Sequence, residues 1–272
     1  MINMFKKLGT AIVLMVTMII VSGNVQAAAK KDVLAEIINS GILKVAMSGD
    51  QPPYNMKDRK KSLMGFDVDL ARAFASAMHV ELEIVEVPFG DLLPTLNSGK
   101  ADMIISGMAI TANRSQQATF VGPYNVSGKS MLSTREVMER VTKDGFDNAN
   151  TRIIALENST SQIFVKENIP QATLSTISNY EDGVEMLLKG KADILVADMA
   201  ICKLSVLRNP GNGLVTSKQP LSIEPIGIAL PTNNPKLENF VRNYLNTYEN
   251  MGMIDALQKK WFENSSWIVA LP

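Results

Sequence analysis

Leu93-Pro94-Thr95-Leu96-Asn97-Ser98-Gly99-Lys100-Ala101-Asp102-Met103-Ile104-Ile105-Ser106-Gly107-Met108 and Val184-Glu185-Met186-Leu187-Leu188-Lys189-Gly190-Lys191-Ala192-Asp193-Ile194-Leu195-Val196-Ala197-Asp198-Met199 are two versions of one unit. Each reads as a leucine-bearing helix, a glycine stop and an apolar strand that ends at a methionine. A unit used twice predicts two similar α/β lobes. The copies differ where the strand ends: Ser106-Gly107-Met108 in the first, Ala197-Asp198-Met199 in the second. Open α/β sheets bind ligands outside the carboxyl ends of their strands. A neutral hydrogen-bonding end opposite an anionic one predicts a site that reads two different groups of one small molecule.

Working outward, Ile42 to Met47 reads as a strand, and Pro52-Pro53 predicts an extended loop after it. A helix is expected from Gly65-Phe66-Asp67 to about Met78, with Asp67 as its cap, and an alternating strand at Glu81 to Val87. The second lobe restarts at Thr151 to Leu156, with helices from about Ser159 to Asn168, Asn179 to Lys189 and Met199 to Arg208. Ile226 to Leu230 reads as a buried strand, and helices at Pro235 to Met251 and Ile254 to about Glu263 close the chain. Strands alternating with crossover helices imply an α/β fold in which each lobe is a mostly parallel sheet flanked by helices. The expected division is 28–126 with 224–272 for lobe 1 and 127–223 for lobe 2. Two connecting strands would form a hinge able to close around a ligand.

Residues 1–27 have the build of a cleaved export signal: Lys6 and Lys7, an apolar run from Ala11 to Val21, and Val25-Gln26-Ala27. A retained anchor is the alternative, disfavoured by the short apolar run. With that segment gone, 25 of the 27 basic residues remain against 27 acidic ones, which argues against nucleic acid as a partner. Cys202 is the only cysteine, so no intrachain disulfide can form, and His79 is the only histidine. That composition excludes histidine metal clusters and histidine-based triads. There is no phosphate-cradling glycine loop, and no metal, cofactor or catalytic residue is expected.

Several residues are candidates for ligand contact. Arg114 follows the first repeated strand and could take a carboxylate in a bidentate pair; a solvated surface charge is the plainer reading. Asp198 is either an ammonium receptor or a helix cap. Ser159 and Thr160 stand at a helix start, where capping competes with anion binding. Phe89 and Tyr54 are either a pocket wall or core.

Gly65 to Ala71, the stretch from Gly99 through Arg114, Gly122-Pro123-Tyr124, Lys191 through Asp198, and Glu224 to Ala229 together resemble a known family. It is that of the periplasmic amino-acid-binding proteins that feed ABC importers, solute-binding protein family 3. The resemblance implies a two-lobed periplasmic receptor that closes on an L-α-amino acid and serves an inner-membrane ABC permease as a monomer. It implies that Arg114 holds the α-carboxylate and Asp198 the α-ammonium. Ser106, Gly107, Ser159 and Thr160 would add hydrogen bonds, and Phe89 would pack on the side chain. Ala109 stands where the family usually has threonine or serine, and Gln51 where it often has a stacking aromatic. Periplasmic cyclohexadienyl (arogenate or prephenate) dehydratases share the resemblance. They carry a catalytic glutamate where this chain has Gln162, which cannot act as a general acid.

Overall fold

The computed structural model describes residues 32–272, so the expected export signal at 1–27 lies outside the described residues. The first pass comprises α1 (Val33–Ser40), β1 (Ile42–Met47), β2 (Asp50–Gln51), β3 (Asn55–Lys57), β4 (Leu63–Met64), α2 (Phe66–Met78) and β5 (Glu81–Glu86). It continues through a 3-10 turn at Phe89–Asp91, α3 (Leu92–Asn97), β6 (Met103–Ile104), α4 (Ala112–Ser115) and β7 (Thr119–Ser127). The middle of the chain forms β8 (Lys129–Thr134), α5 (Arg135–Asp144), β9 (Arg152–Leu156), α6 (Thr160–Asn168) and β10 (Thr173–Ile177). Then come α7 (Tyr180–Leu188), β11 (Ile194–Asp198), α8 (Met199–Arg208) and β12 (Leu214–Thr216). The chain returns as β13 (Glu224–Leu230), α9 (Pro235–Asn250) and α10 (Met253–Gln258).

Two five-stranded sheets result, in the orders β5-β1-β6-β13-β7 and β10-β9-β11-β8-β12. In the first, β5, β1 and β6 are parallel neighbours, and β13 runs antiparallel to both β6 and β7. In the second, β10, β9 and β11 are parallel and β8 is antiparallel to β11 and β12. Each sheet therefore has a single reversed strand, and that strand is the one arriving from the other lobe. The central strands are buried on both faces, as their near-continuous apolar runs require.

The repeated Gly-Lys-Ala-Asp has a structural reason. Asp102 Oδ2 accepts a hydrogen bond from Lys44 N at 2.8 Å, and Asp193 Oδ2 accepts one from Arg152 N at 2.9 Å. The exchange is mutual: Asp102 N donates to Lys44 O and Asp193 N to Arg152 O. In both lobes the aspartate thus ties the start of the repeated strand to the parallel strand beside it, β1 for Asp102 and β9 for Asp193. Asp193 is buried, which would raise its pKa, yet hydrogen bonds from Arg152 and Arg140 hold its carboxyl at about 2.

Three sequence expectations are corrected. Pro52 and Pro53 lie in a turn, not an extended loop, and the turn joins β2 to β3 in a small antiparallel meander with β4. Asp67 does not cap α2: Gly65 is the N-cap, and the Asp67 carboxylate is fully buried, accepting from Tyr124 Oη at 2.7 Å and Asn55 Nδ2 at 2.8 Å. Asp198 precedes α8 but makes no capping hydrogen bond there. The elements absent from the sequence reading are α1, the meander, α4, β7, β8, α5 and β12. Gly122-Pro123 interrupts β7, which a sheet tolerates because β7 is an edge strand.

The chain crosses between the sheets at Gly128 and again between Thr216 and Glu224. The two crossings lie against each other. Lys129 N donates to Ser222 Oγ at 3.0 Å, and Leu221 N donates to Lys129 O at 2.7 Å. A Cβ on Gly128 would sit 2.1 Å from Ser222 O, so only glycine permits this approach.

Candidate functional site

The carboxyl ends of β6, β9 and β11 point at a small pocket between the sheets, with a cavity volume of about 10 Å3. Gln51, Phe89, Gly107, Ala109 and Arg114 line it from the first lobe. Leu156, Ser159, Thr160, Tyr180 and Asp198 line it from the second, and Lys129 and Glu224 from the hinge. Every candidate for ligand contact is therefore at the pocket except Ser106 and Tyr54.

Ser106 lies one layer behind. Its hydroxyl is fully buried, where it accepts from Ser48 N at 3.0 Å. Tyr54 is core: its ring meets Phe262 edge to face, and its hydroxyl accepts from Asn125 Nδ2. Gly107 adopts φ 58, its amide donates to Tyr124 Oη at 3.3 Å, and a Cβ would press on the Tyr54 ring at 3.1 Å. Tyr124 in turn donates to Asp67, so the pocket floor rests on a buried polar chain. Burial pushes the Asp67 carboxyl up to about 6 despite those two hydrogen bonds.

Arg114 is only 7% exposed. Thr111 positions it by capping α4, its Oγ1 accepting from Arg114 N at 3.2 Å. The guanidinium donates to Ala109 O at 3.0 Å and, across the cleft, to Asn158 O at 3.4 Å. Its carbon lies 5.5 Å from the centre of the Phe89 ring, a cation–π contact that accounts for that phenylalanine at the pocket. Among the described residues no carboxylate pairs with it; its partners are neutral carbonyls. Burial lowers its pKa, and the charges of Glu224 and Asp198 oppose that effect.

Opposite stands a buried ionic cluster. Lys129 Nζ lies 2.5 Å from Asp198 Oδ1 and 2.9 Å from Glu224 Oε2. Glu224 Oε2 also accepts from Thr160 Oγ1 at 2.8 Å. Burial alone would depress the Lys129 pKa, but the two carboxylates hold it above the ordinary value. Lys129, Leu156 and Tyr180 are not among the sequence candidates, and Glu224 enters the sequence reading only as part of the return strand. Position at a strand end was the available signal for Lys129 and Glu224. It was obscured because the strand ends in question belong to the hinge.

Ser159 caps α6, accepting from Gln162 N and donating to Leu156 O, so its hydroxyl is occupied structurally while it lines the pocket. Gln162 Oε1 accepts from Asn158 N at 3.0 Å and braces the left-handed turn at Asn158 (φ 56). That turn aims the Asn158 carbonyl at Arg114.

The model of the bacterial extracellular solute-binding proteins, family 3, matches residues 43–264, which covers both sheets and every pocket residue. The chain belongs to this family. Among family members, it is 28% identical over 235 residues to ABC transporter arginine-binding protein 1 of Escherichia coli (strain K12), covering 84% of this chain and 91% of that protein. It is 25% identical over 246 residues to cyclohexadienyl dehydratase of Pseudomonas aeruginosa, covering 90% and 91%. A solved structure of a binding component of an ABC transporter from Wolinella succinogenes, complexed with lysine, superposes with a TM-score of 0.78 at 32% identity. That match covers 84% of this chain and 99% of the other. Family 3 thus includes amino-acid-binding components of ABC transporters and also an enzyme. The two-lobed α/β architecture with its two-strand hinge is common to this chain and its structural neighbours.

Proposed function

We propose that the protein is an extracytoplasmic receptor that binds one L-α-amino acid between its lobes and delivers it to an inner-membrane ABC permease. The lobes are divided at the hinge, 28–126 with 224–272 against 127–223. Export by cleavage after residue 27 places the monomeric mature chain in the periplasm. One observation carries the reading: a buried guanidinium, Arg114, is fixed by neutral carbonyls and lacks a carboxylate partner among the described residues. A buried cation without an anion is costly, and a ligand carboxylate supplies the missing charge in a charge-assisted pair. Asp198, across the pocket, is the matching receptor for the ligand ammonium. Gly107, Ala109, Ser159, Thr160, Gln51 and Phe89 shape the space between, and Ser106 supports it from behind. The relatives named for arginine binding and complexed with lysine support an amino acid as the ligand.

The similarity to cyclohexadienyl dehydratase keeps an enzyme in the comparison. Against it stand Gln162, an amide committed to the Asn158 turn, and the ion-pairing of Asp198 and Glu224 to Lys129.

A thermal-shift screen against the proteinogenic amino acids tests the reading. A ligand at 100 times its Kd adds about 2.7 kcal/mol of stability. Arg114→Ala and Asp198→Asn are each expected to abolish that shift with the unliganded melting curve still cooperative, since one broken buried ionic partner costs about 3–5 kcal/mol. Turnover of arogenate or prephenate with no amino acid shifting the melt would favour the enzyme instead.

A further inference from the structure

Four charged side chains line the pocket: Arg114 and Lys129, Asp198 and Glu224. Their formal charges cancel. Of the two cations, Lys129 alone is spent inside the protein, bridging both carboxylates from a side chain 3% exposed. We propose that Lys129 is the specificity-determining residue of this site and restricts it to net-neutral α-amino acids, excluding arginine and lysine. The proposal rests on the amino-acid reading above.

The reasoning is charge balance in a closed, low-dielectric space. A zwitterion brings one carboxylate to Arg114 and one ammonium to Asp198, and Lys129 keeps Glu224 as its partner at 2.9 Å. Every charge then has a counter-charge, and the buried site stays neutral. A second cation on the ligand side chain has no such place. Glu224 Oε2 already receives Lys129 and Thr160, and its Oε1 lies 3.4 Å from the Ser222 hydroxyl. An entering ammonium or guanidinium would meet Lys129 and Arg114 as like charges and leave one positive charge unpaired, which is the costly state for a buried ion. The lysine thus fills from within the place a cationic side chain would need. It is well anchored for this, because it is the first residue of β8 and its backbone is bonded on both sides to the returning crossing at Leu221 and Ser222.

Isothermal titration of the mature protein with glutamine, serine, leucine, glutamate, arginine and lysine, repeated on Lys129→Met, reads this directly. The expected result for the natural protein is tightest binding by one of the neutral amino acids, with arginine and lysine at least about tenfold weaker. In Lys129→Met the pocket carries a net negative charge, and the affinity ratio of cationic to neutral ligands rises at least about tenfold. Tightest binding by arginine, lysine or glutamate in the natural protein, or an unchanged ratio in the variant, overturns the proposal while leaving an amino-acid receptor in place. If Lys129→Met does not fold, Lys129→Gln gives the same comparison, and the ranking in the natural protein decides alone if neither folds. Folded natural protein that binds no amino acid removes the receptor reading and this proposal together.

Discussion

At the scale of single residues, the structure separates side chains that serve the ligand pocket from those that only look as if they do. Asp67 was read as a helix cap and is instead a carboxylate enclosed beneath the pocket floor, with Tyr124 and Asn55 as its partners. Its folded-state pKa of about 6 lies above the ordinary 3.8, and burial is the leading cause. For a carboxyl raised on folding, the native state takes up its proton first. The penalty is therefore fully present above about pH 6 and is relieved as pH falls through 6 toward 4. A shift of this size corresponds to about 3 kcal/mol at most. In urea titrations at pH 7 and pH 4, the unfolding free energy of the natural protein should rise on acidification relative to Asp67→Asn by up to that amount. A pH-independent difference between the two proteins would contradict the burial argument. Arg114 shows the opposite case. Its place at the site was legible because it follows the end of the repeated strand; what the sequence left open was which groups would hold it, since Ala109 O and Asn158 O come from backbone.

At the scale of elements, the doubled helix–glycine–strand unit was legible because its signals are local: leucine spacing, a left-handed glycine at φ 73 or 65, and an apolar run. The two aspartates then fix each unit to the neighbouring parallel strand, β1 or β9, by the same pair of bonds, one to the carboxylate and one from the aspartate's own amide. A two-strand hinge was expected from the sequence, but the residues that build it were not legible in the same way. β7 is interrupted by a proline, β8 begins at a lysine, and the ionic cluster joins Lys129, Asp198 and Glu224 from three separate strands. Spacing along the chain carries no trace of such a cluster: Lys129 faces Asp198 across the β8–β11 ladder, and Glu224 joins them because the crossings pack together. Gly128 is the residue that lets them. Its Cβ-free backbone faces Ser222 O and the Pro220 side chain, and it is not in the left-handed region, so the demand is for space alone. Gly128→Ala should force the crossings apart and cost about 1–3 kcal/mol of stability, the usual penalty for overpacking. It should also weaken ligand binding by displacing Lys129. A denaturation midpoint and an affinity both equal to the natural protein's would show that the crossings are not in register as described.

At the scale of the whole molecule, the central fact is that the lobes meet across the pocket. Arg114 on one side donates to Asn158 O on the other, and a cavity of about 10 Å3 between them is about the space of one water, far below that of an amino acid. Loading a ligand therefore requires the hinge to open, and a bound ligand would hold the lobes together by its own ion pairs. The rim offers a direct way to test this. A Cβ built on Gly90, in the first lobe, would lie 3.5 Å from Asn158 Cβ in the second, at the near limit of the range that a disulfide spans. Cys202 is buried, and burial pushes its thiol up to about 12, so it would not compete for pairing. The double variant Gly90→Cys with Asn158→Cys is expected to bind ligand when reduced, with some loss from a non-glycine, non-asparagine residue at the left-handed position 158. Oxidised before ligand is added, it should take up ligand at least about a hundredfold more slowly. Oxidised after loading, it should retain ligand through dialysis that empties the reduced form. Stopped-flow or equilibrium dialysis distinguishes the three states, and equal uptake by the oxidised and reduced forms would mean that entry does not depend on hinge opening.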